Sequence, residues 1–234
     1  MKIPAFKPIH GWRTFLGEVG IIVVGVLIAL AAQQFVEDRS WRGQVTESRA
    51  SLDKQLVESK YASVERISLH DCNEKKLDFL DEVIAGKRPA TNLKIALGSL
   101  RLWSTSAWDS ATASGAVAHM PADIRDNYAS LFAFTEALRE LNLREFEVAN
   151  DLSTLERHSQ LTDVSRDRLA RDIATLRALA AMMKLGGEQW LDGAKPLHLQ
   201  FNETDLADVR KNVAKSTTCN LPDGSKVQTG APAR

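Results

Sequence analysis

The chain has little of almost everything that marks a dedicated chemistry. Cysteine occurs only twice in 234 residues, as Cys72 and Cys219, and neither belongs to a Cys-x-x-Cys pair, which argues against a thiol redox centre or a zinc site. Neither sign of charge is in excess: Lys plus Arg number 30 and Asp plus Glu number 30, so no net basic field exists to hold a nucleic acid. No run of alternating β-branched residues argues for a sheet. The motifs HExxH and GxSxG, the phosphate-binding glycine loops and the EF-hand loop are all missing. What remains is a chain 44% hydrophobic and 26% charged, enough to bury one sizeable core and too apolar to be disordered.

One hydrophobic run stands out against this background. Residues 19–32 read VGIIVVGVLIALAA, shorter alone than the about 20 helical residues that cross a hydrocarbon core. Phe15 and Leu16 extend it on one side and Phe35 and Val36 on the other. A single transmembrane helix over 15–36 is therefore expected, with Glu18, Gln33 and Gln34 near its ends, where polar groups reach headgroups or water. Trp12 and Trp41 flank the span and suit either interfacial anchoring or ordinary amphipathic positions. The lipid bilayer is the first expected partner.

Lys2, Lys7 and Arg13 precede the run with no acidic residue among them, and a short basic N-terminus as a rule stays in the cytoplasm. The expected organisation is a cytoplasmic N-terminus over 1–14, the span over 15–36, an extracytoplasmic helical bundle over 37–215, and a C-terminal turn and loose tail over 216–234. A cleaved secretory signal competes with this reading, since Ala29-Leu30-Ala31 fits a small-residue cleavage site near Ala31 and would release the rest to the periplasm. Against cleavage, Glu18 sits at the mouth of the run, and the run passes into Glu37-Asp38-Arg39 with no turn former between. Either reading exports both cysteines to a compartment where a Cys72 to Cys219 disulfide is permitted. Two unpaired thiols are the alternative, because spacing alone does not supply the required Cα approach.

Downstream, the hydrophobic period is helical. Residues 37–85 carry Leu52, Leu56, Val64, Leu77 and Leu80 near helical spacing, contain no proline and stop at Gly86, so span and helix are expected to be continuous from about 14 to 85. Further helices are expected over 93–104, over 122–160 opened by Pro121, and over 164–185 capped by Thr162 or Asp163 and stopped by Gly186-Gly187. A short piece near 188–191 and a last helix over 203–214, opened by Asn202, complete the set. Leu221-Pro222-Asp223-Gly224 reads as a turn. The economical fold is all-α: an N-terminal transmembrane helix, continuous with a long amphipathic helix, followed by an antiparallel helical bundle.

The stretch 105–121 is the least regular, and it is the first choice for a ligand site: Trp108, Asp109, Ser114, Gly115 and His119, where small residues allow close approach of a ligand or of a packed helix. Asp109, Ser114 and His119 also include the residue types of a hydrolytic constellation, although Ser and Asp near a helix start commonly cap it and a lone His is commonly structural. His70, Asp71 and Cys72 are consecutive on a helix and so point in different directions. No metal or cofactor is expected from them. Charge pairs such as Glu136 with Arg139 and Glu140 with Arg144 suit a solvated helix face. In the span, Gly25 and Ala29 form a small-xxx-small pair, a face for packing against a second copy or another envelope protein.

Residues 17–35, GEVGIIVVGVLIALAAQQF, resemble the N-terminal signature of a family of uncharacterised bacterial single-pass membrane proteins, in which a Gly-Glu step leads into a valine-isoleucine-glycine run ending in Ile-Ala-Leu and an amide residue. Ala107-Trp108-Asp109-Ser110 with Ser114-Gly115 is similar to a second, weaker element of that family. Such families carry no assigned activity. The resemblance implies a bacterial protein anchored in the inner membrane and supplies no catalytic residue.

Two function classes follow. One is a non-enzymatic envelope protein, binding, sensory or structural, which would pass any signal through an associated protein because its short N-terminus holds no output module. The other is an extracytoplasmic enzyme with a site near Trp108 to His119. The missing catalytic signatures favour the first.

Overall fold

The computed structural model describes residues 11–90, 92–95, 101–157, 161–200, 202–215 and 219–225. Most of the expected leader, the middle of the helix expected over 93–104 and most of the expected tail lie outside the described residues. Among the described residues the elements are α-helices and short 3-10 turns, with no strand. They are α1 (Trp12–Ile84), α2 (Ser106–Ala113), α3 (Ala122–Leu152), α4 (Asp163–Gly193) and α5 (Glu203–Lys215).

The chain divides into two compact units, one ending at Glu47 and one starting at Ser48, and α1 contributes to both. In the first unit every side chain from Phe15 to Ser40 is exposed. Between Val19 and Ala32 the helix is apolar all round and has no core to face among the described residues, which is the character of a helix that could cross a membrane. By length and composition this is the one helix among the described residues able to cross a membrane. α1 stays unbroken over 73 residues because nothing inside it removes an amide or forces a turn. It ends where Gly86 takes φ +74. The Gly86 amide then donates to the Val83 carbonyl at 3.0 Å and the Lys87 amide to that of Glu82 at 2.9 Å, a Schellman closure that only a residue without a Cβ adopts cheaply.

In the second unit, α1, α3 and α4 supply the core. Leu52, Leu56, Leu77 and Leu80 of α1 are buried, as are Phe132, Leu138 and Leu152 of α3 and Ile173, Leu176 and Met183 of α4. Burying each such side chain stabilises the fold by about 1.5–3 kcal/mol. Trp190 is fully buried and still satisfies its indole, since Nε1 donates to Thr135 Oγ1 at 2.9 Å.

Three boundaries differ from the sequence expectation. α4 does not stop at Gly186-Gly187 but runs through them to Gly193 and absorbs the piece near 188–191. A Cβ on Gly186 would lie 2.7 Å from Leu138 Cδ2, and one on Gly187 3.2 Å from Ile67 Cγ1. These glycines are therefore close-approach residues, where α4 meets α3 and α1, rather than stops. α3 ends at Leu152, short of 160, and tightens into a 3-10 turn over Ser153–Glu156. There the Ser153 and Thr154 hydroxyls donate to the Asn150 and Asp151 carbonyls, offering the backbone an alternative to further helix.

The third difference concerns 93–104, whose described ends, 93–95 and 101–104, are not helical. Their amides go to tertiary acceptors: Lys94 N–H donates to the Pro222 carbonyl at 2.8 Å, Ile95 N–H to Glu156 Oε1 at 2.5 Å and Arg101 N–H to Asn142 Oδ1 at 2.9 Å. Elsewhere α4 begins as its sequence suggests, with Thr162 Oγ1 accepting from the Ser165 amide at 3.2 Å, and Asn202 caps α5 through the Thr204 amide at 3.0 Å. Residues 221–225 form a turn, with Gly224 at φ +86 and its amide on the Leu221 carbonyl.

Candidate functional site

A cleft of about 560 Å³ in the second unit is built from three separated segments: α1 from Gln55 to Leu69, the extended residues 101–104, and α5 around Val209 to Val213. Each piece is held by identifiable contacts. Cys72 of α1 is bonded to Cys219 with a Cα separation of 5.1 Å, and this bridge packs with Leu69 and Val213. It thus fixes the chain just past α5 onto α1, across 147 residues of sequence.

Residues 101–104 are pinned from both sides. The Arg101 amide is held by Asn142 of α3, and its guanidinium donates through Nε and Nη2 to the two oxygens of Glu65 at 2.5 and 2.6 Å. These hydrogen bonds raise the Arg101 pKa above its ordinary value. Trp103 is buried and forms a wall of the cleft. Beyond it, Gln55 clasps the start of α2, accepting the Ala107 amide at 2.9 Å and donating to Ser106 Oγ at 3.0 Å. α2 lacks a side-chain cap of its own, so Gln55 of α1 takes that role.

The cleft mixes a wet rim with an apolar body. Leu69, Val209 and Val213 give aliphatic surface, Tyr61 and Trp103 aromatic surface. Its charged residues are Glu58, Glu65 and Arg101. Glu65 and Arg101 neutralise each other, whereas Glu58 makes no ion pair among the described residues. A concave, largely preformed cleft with a few fixed polar groups is the usual form of a small-molecule site.

The residues singled out from sequence lie elsewhere in the same unit. Trp108 and Asp109 of α2 share a shallower cleft of about 360 Å³ with Phe132, Glu136 and Arg139 of α3. Trp108 stacks on Phe132 with ring centroids 5.8 Å apart, and Asp109 Oδ2 accepts from Thr105 Oγ1 at 3.2 Å. Ser114, Gly115 and His119 do not line that cleft. The Ser114 hydroxyl donates to the Ala111 carbonyl at 3.1 Å, Gly115 turns the chain at φ +80, and His119 is exposed at the end of a 3-10 turn.

Of the His70, Asp71 and Cys72 run, Asp71 is exposed and Cys72 is in the disulfide. No group of three or more His, Cys, Asp or Glu able to hold a metal occurs among the described residues. Glu136 pairs with Arg139 as its spacing suggests, while Arg144 pairs with Glu147 rather than Glu140. In the first unit, a Cβ on Gly25 would meet nothing within 4 Å, so a neighbouring helix can approach the Gly25 and Ala29 face closely.

Sequence reasoning missed the larger cleft because its three parts are far apart in the chain and one of them was expected to be helical. It also missed a polar seam inside the bundle. Arg66, Asn73 and Lys76 of α1 and Asn142 and Glu145 of α3 are all buried. Burial lowers the Lys76 pKa to about 8 and, with the Asp53 hydrogen bond second, raises that of Tyr128 to about 12. The available signal was position: Ser59, Ser63, Arg66 and Asn73 follow one another at steps of four, three and seven residues, the helical spacing that the core leucines also keep.

No family model matches the chain, and no curated protein or solved structure matches it.

Proposed function

We propose that this chain is a membrane-anchored binding protein of the bacterial envelope, sensory or structural rather than catalytic, with its N-terminus in the cytoplasm and its bundle in the periplasm. The observation that carries the reading is the pairing of an uncovered apolar helix over 15–36 with a bundle closed by the Cys72–Cys219 disulfide. Disulfides persist in oxidising compartments and are rare in the cytosol. The basic residues Lys2, Lys7 and Arg13 support the same orientation. Binding is favoured over catalysis because, among the described residues, the serine hydroxyls lining the larger cleft bond elsewhere, Ser59 to the Gln55 carbonyl and Ser104 to Ser106, rather than to a base. The Gly25 and Ala29 face suits pairing with a second copy or with another envelope protein that carries the output.

The experiment is a pair of reporter fusions to the C-terminus, alkaline phosphatase and a fluorescent protein that matures only in the cytosol. The proposal expects active phosphatase, a dark fluorescent fusion and retention of both in the membrane fraction. A fluorescent fusion, or release of active phosphatase into the soluble periplasm, contradicts it.

A further inference from the structure

We infer that the cleft between α1, residues 101–104 and α5 takes a small organic cation with an apolar body, of the aryl-alkyl amine class. The inference rests on the binding-protein reading and names the ligand chemistry of that site.

Charge selects the class. Among the described residues three charged ones line the cleft, and two of them are already matched: both Glu65 oxygens accept from Arg101, through Nε at 2.5 Å and Nη2 at 2.6 Å. The Glu65 side chain is 15% exposed and that of Arg101 48%, so the carboxylate is the sheltered end of the pair and loses its partner if Arg101 is drawn away. Glu58 is the group without an ion pair among the described residues. Lys54, one turn before it, lines the adjoining shallow cleft and forms no ion pair with it among the described residues. An anionic ligand would therefore meet Glu58 and an Arg101 whose charge is already balanced by Glu65, and a zwitterion would have to share Arg101 with Glu65. An ammonium group meets a free carboxylate at no such cost, and a charge-assisted hydrogen bond is among the stronger polar contacts.

The rest of the cleft fits the body of such a ligand. Tyr61 is half-buried in its wall, and a ring face near an ammonium adds cation–π attraction. Leu69, Val209 and Val213 give the hydrocarbon part somewhere to go. At about 560 Å³ the space is that of a small molecule rather than of a peptide helix. Residues 101–104 form one wall, and the disulfide holds the α5 side to α1, so little reorganisation accompanies binding.

The test is isothermal titration calorimetry on the full chain in lipid nanodiscs, with empty nanodiscs subtracted, using three probes of one shape: phenethylamine, phenethyl alcohol and phenylpropionate. Saturable binding of phenethylamine is expected, with the alcohol and the anion each weaker by about tenfold or more. Glu58→Gln should weaken phenethylamine by about tenfold or more while keeping the helical signal and the oxidised disulfide, because Glu58 is exposed and holds nothing in place. No saturable heat with phenethylamine, unchanged affinity in E58Q, or tighter binding of the anion overturns the inference. Should it fail while the reporter fusions behave as expected, the ligand class falls and the anchored-bundle reading stands. Cytosolic fluorescence would remove both.

Discussion

Arg66 of α1 and Glu145 of α3 form an ion pair inside the bundle, with side chains only 2% and 4% exposed. Asn142 ties the pair to the cleft wall: its Nδ2 reaches the same Glu145 oxygen at 3.4 Å and its Oδ1 accepts from the Arg101 amide. Taking one partner away leaves a buried charge uncompensated, which costs about 3–5 kcal/mol, whereas replacing both with apolar groups is often neutral. Glu145→Ala is therefore expected to lower the urea midpoint strongly, and R66M/E145L to recover most of the loss. A double variant no more stable than the single one contradicts this.

Gly186 and Gly187 lie where α4 passes Leu138 and Ile67. An exposed helical Gly→Ala exchange gains about 1 kcal/mol from propensity. At Gly186 the new methyl would enter the space of Leu138, itself 1% exposed, so that side chain must shift within a packed core, and overpacking costs about 1–3 kcal/mol. Gly186→Ala is expected to be net destabilising by thermal melt. The exposed Gly43, whose Cβ would meet nothing within 4 Å, provides the control: Gly43→Ala should hold or raise stability.

Lys76 gives a pH dependence of defined sign. Burial depresses its pKa from 10.5 to about 8, so between those values the unfolded chain binds the additional proton and stability rises with pH. Below about pH 8 the folded state carries the full burden of a buried ammonium. Tyr128 acts in the opposite sense above pH 10, because its phenol stays protonated in the fold up to about 12, so the informative window is pH 8 to 10. Urea midpoints of the full chain should climb across it, and Lys76→Met should flatten the climb. An equal slope in the variant would assign the effect to another group.

Reduction of Cys72–Cys219 frees the end of the chain past α5 from α1. For a bridge closing so long a loop, loss of about 2–5 kcal/mol is expected, seen as a lower melting temperature in C72S/C219S. On non-reducing gels the wild-type protein from cells should run faster than its reduced form. A reduced protein in vivo would count against an oxidising compartment.

Much of this architecture was legible in the chain, and the exceptions, apart from the early end of α3, share a cause. The stripe of α4, Leu169, Ile173, Leu176, Leu179, Ala180 and Met183, is fully buried, as its 3.6-residue period indicates, and α1 is continuous because nothing in its sequence interrupts it. At Gly186-Gly187 and after Leu93, where local rules failed, a distant partner had intervened. Gly186-Gly187 has the composition of a stop, but the approach of Leu138 and Ile67 makes it a packing site. The segment after Leu93 has the leucines of a helix, but Pro222, Glu156 and Asn142 take its amides. Phe146, apolar as it is, is 39% exposed, while Glu145 beside it is buried with its partner Arg66. The cleft was invisible for the same reason, since Glu58, Arg101 and Val209 meet only in three dimensions. Trp108 and Asp109 do share a surface depression, but nothing in their local sequence reveals the larger cleft nearby.

The central claim is that the helix over 15–36 stays in the bilayer and holds an oxidised bundle on its outer side. Its most direct test is to treat spheroplasts with a membrane-impermeant protease, in parallel with an alkaline carbonate wash and mass analysis of the intact chain. The account predicts an uncleaved N-terminus, retention in the washed membrane, and digestion of the bundle from outside. Full-length protein in the soluble fraction without detergent, protection of the bundle in spheroplasts, or a mature chain starting at Ala32 would contradict it.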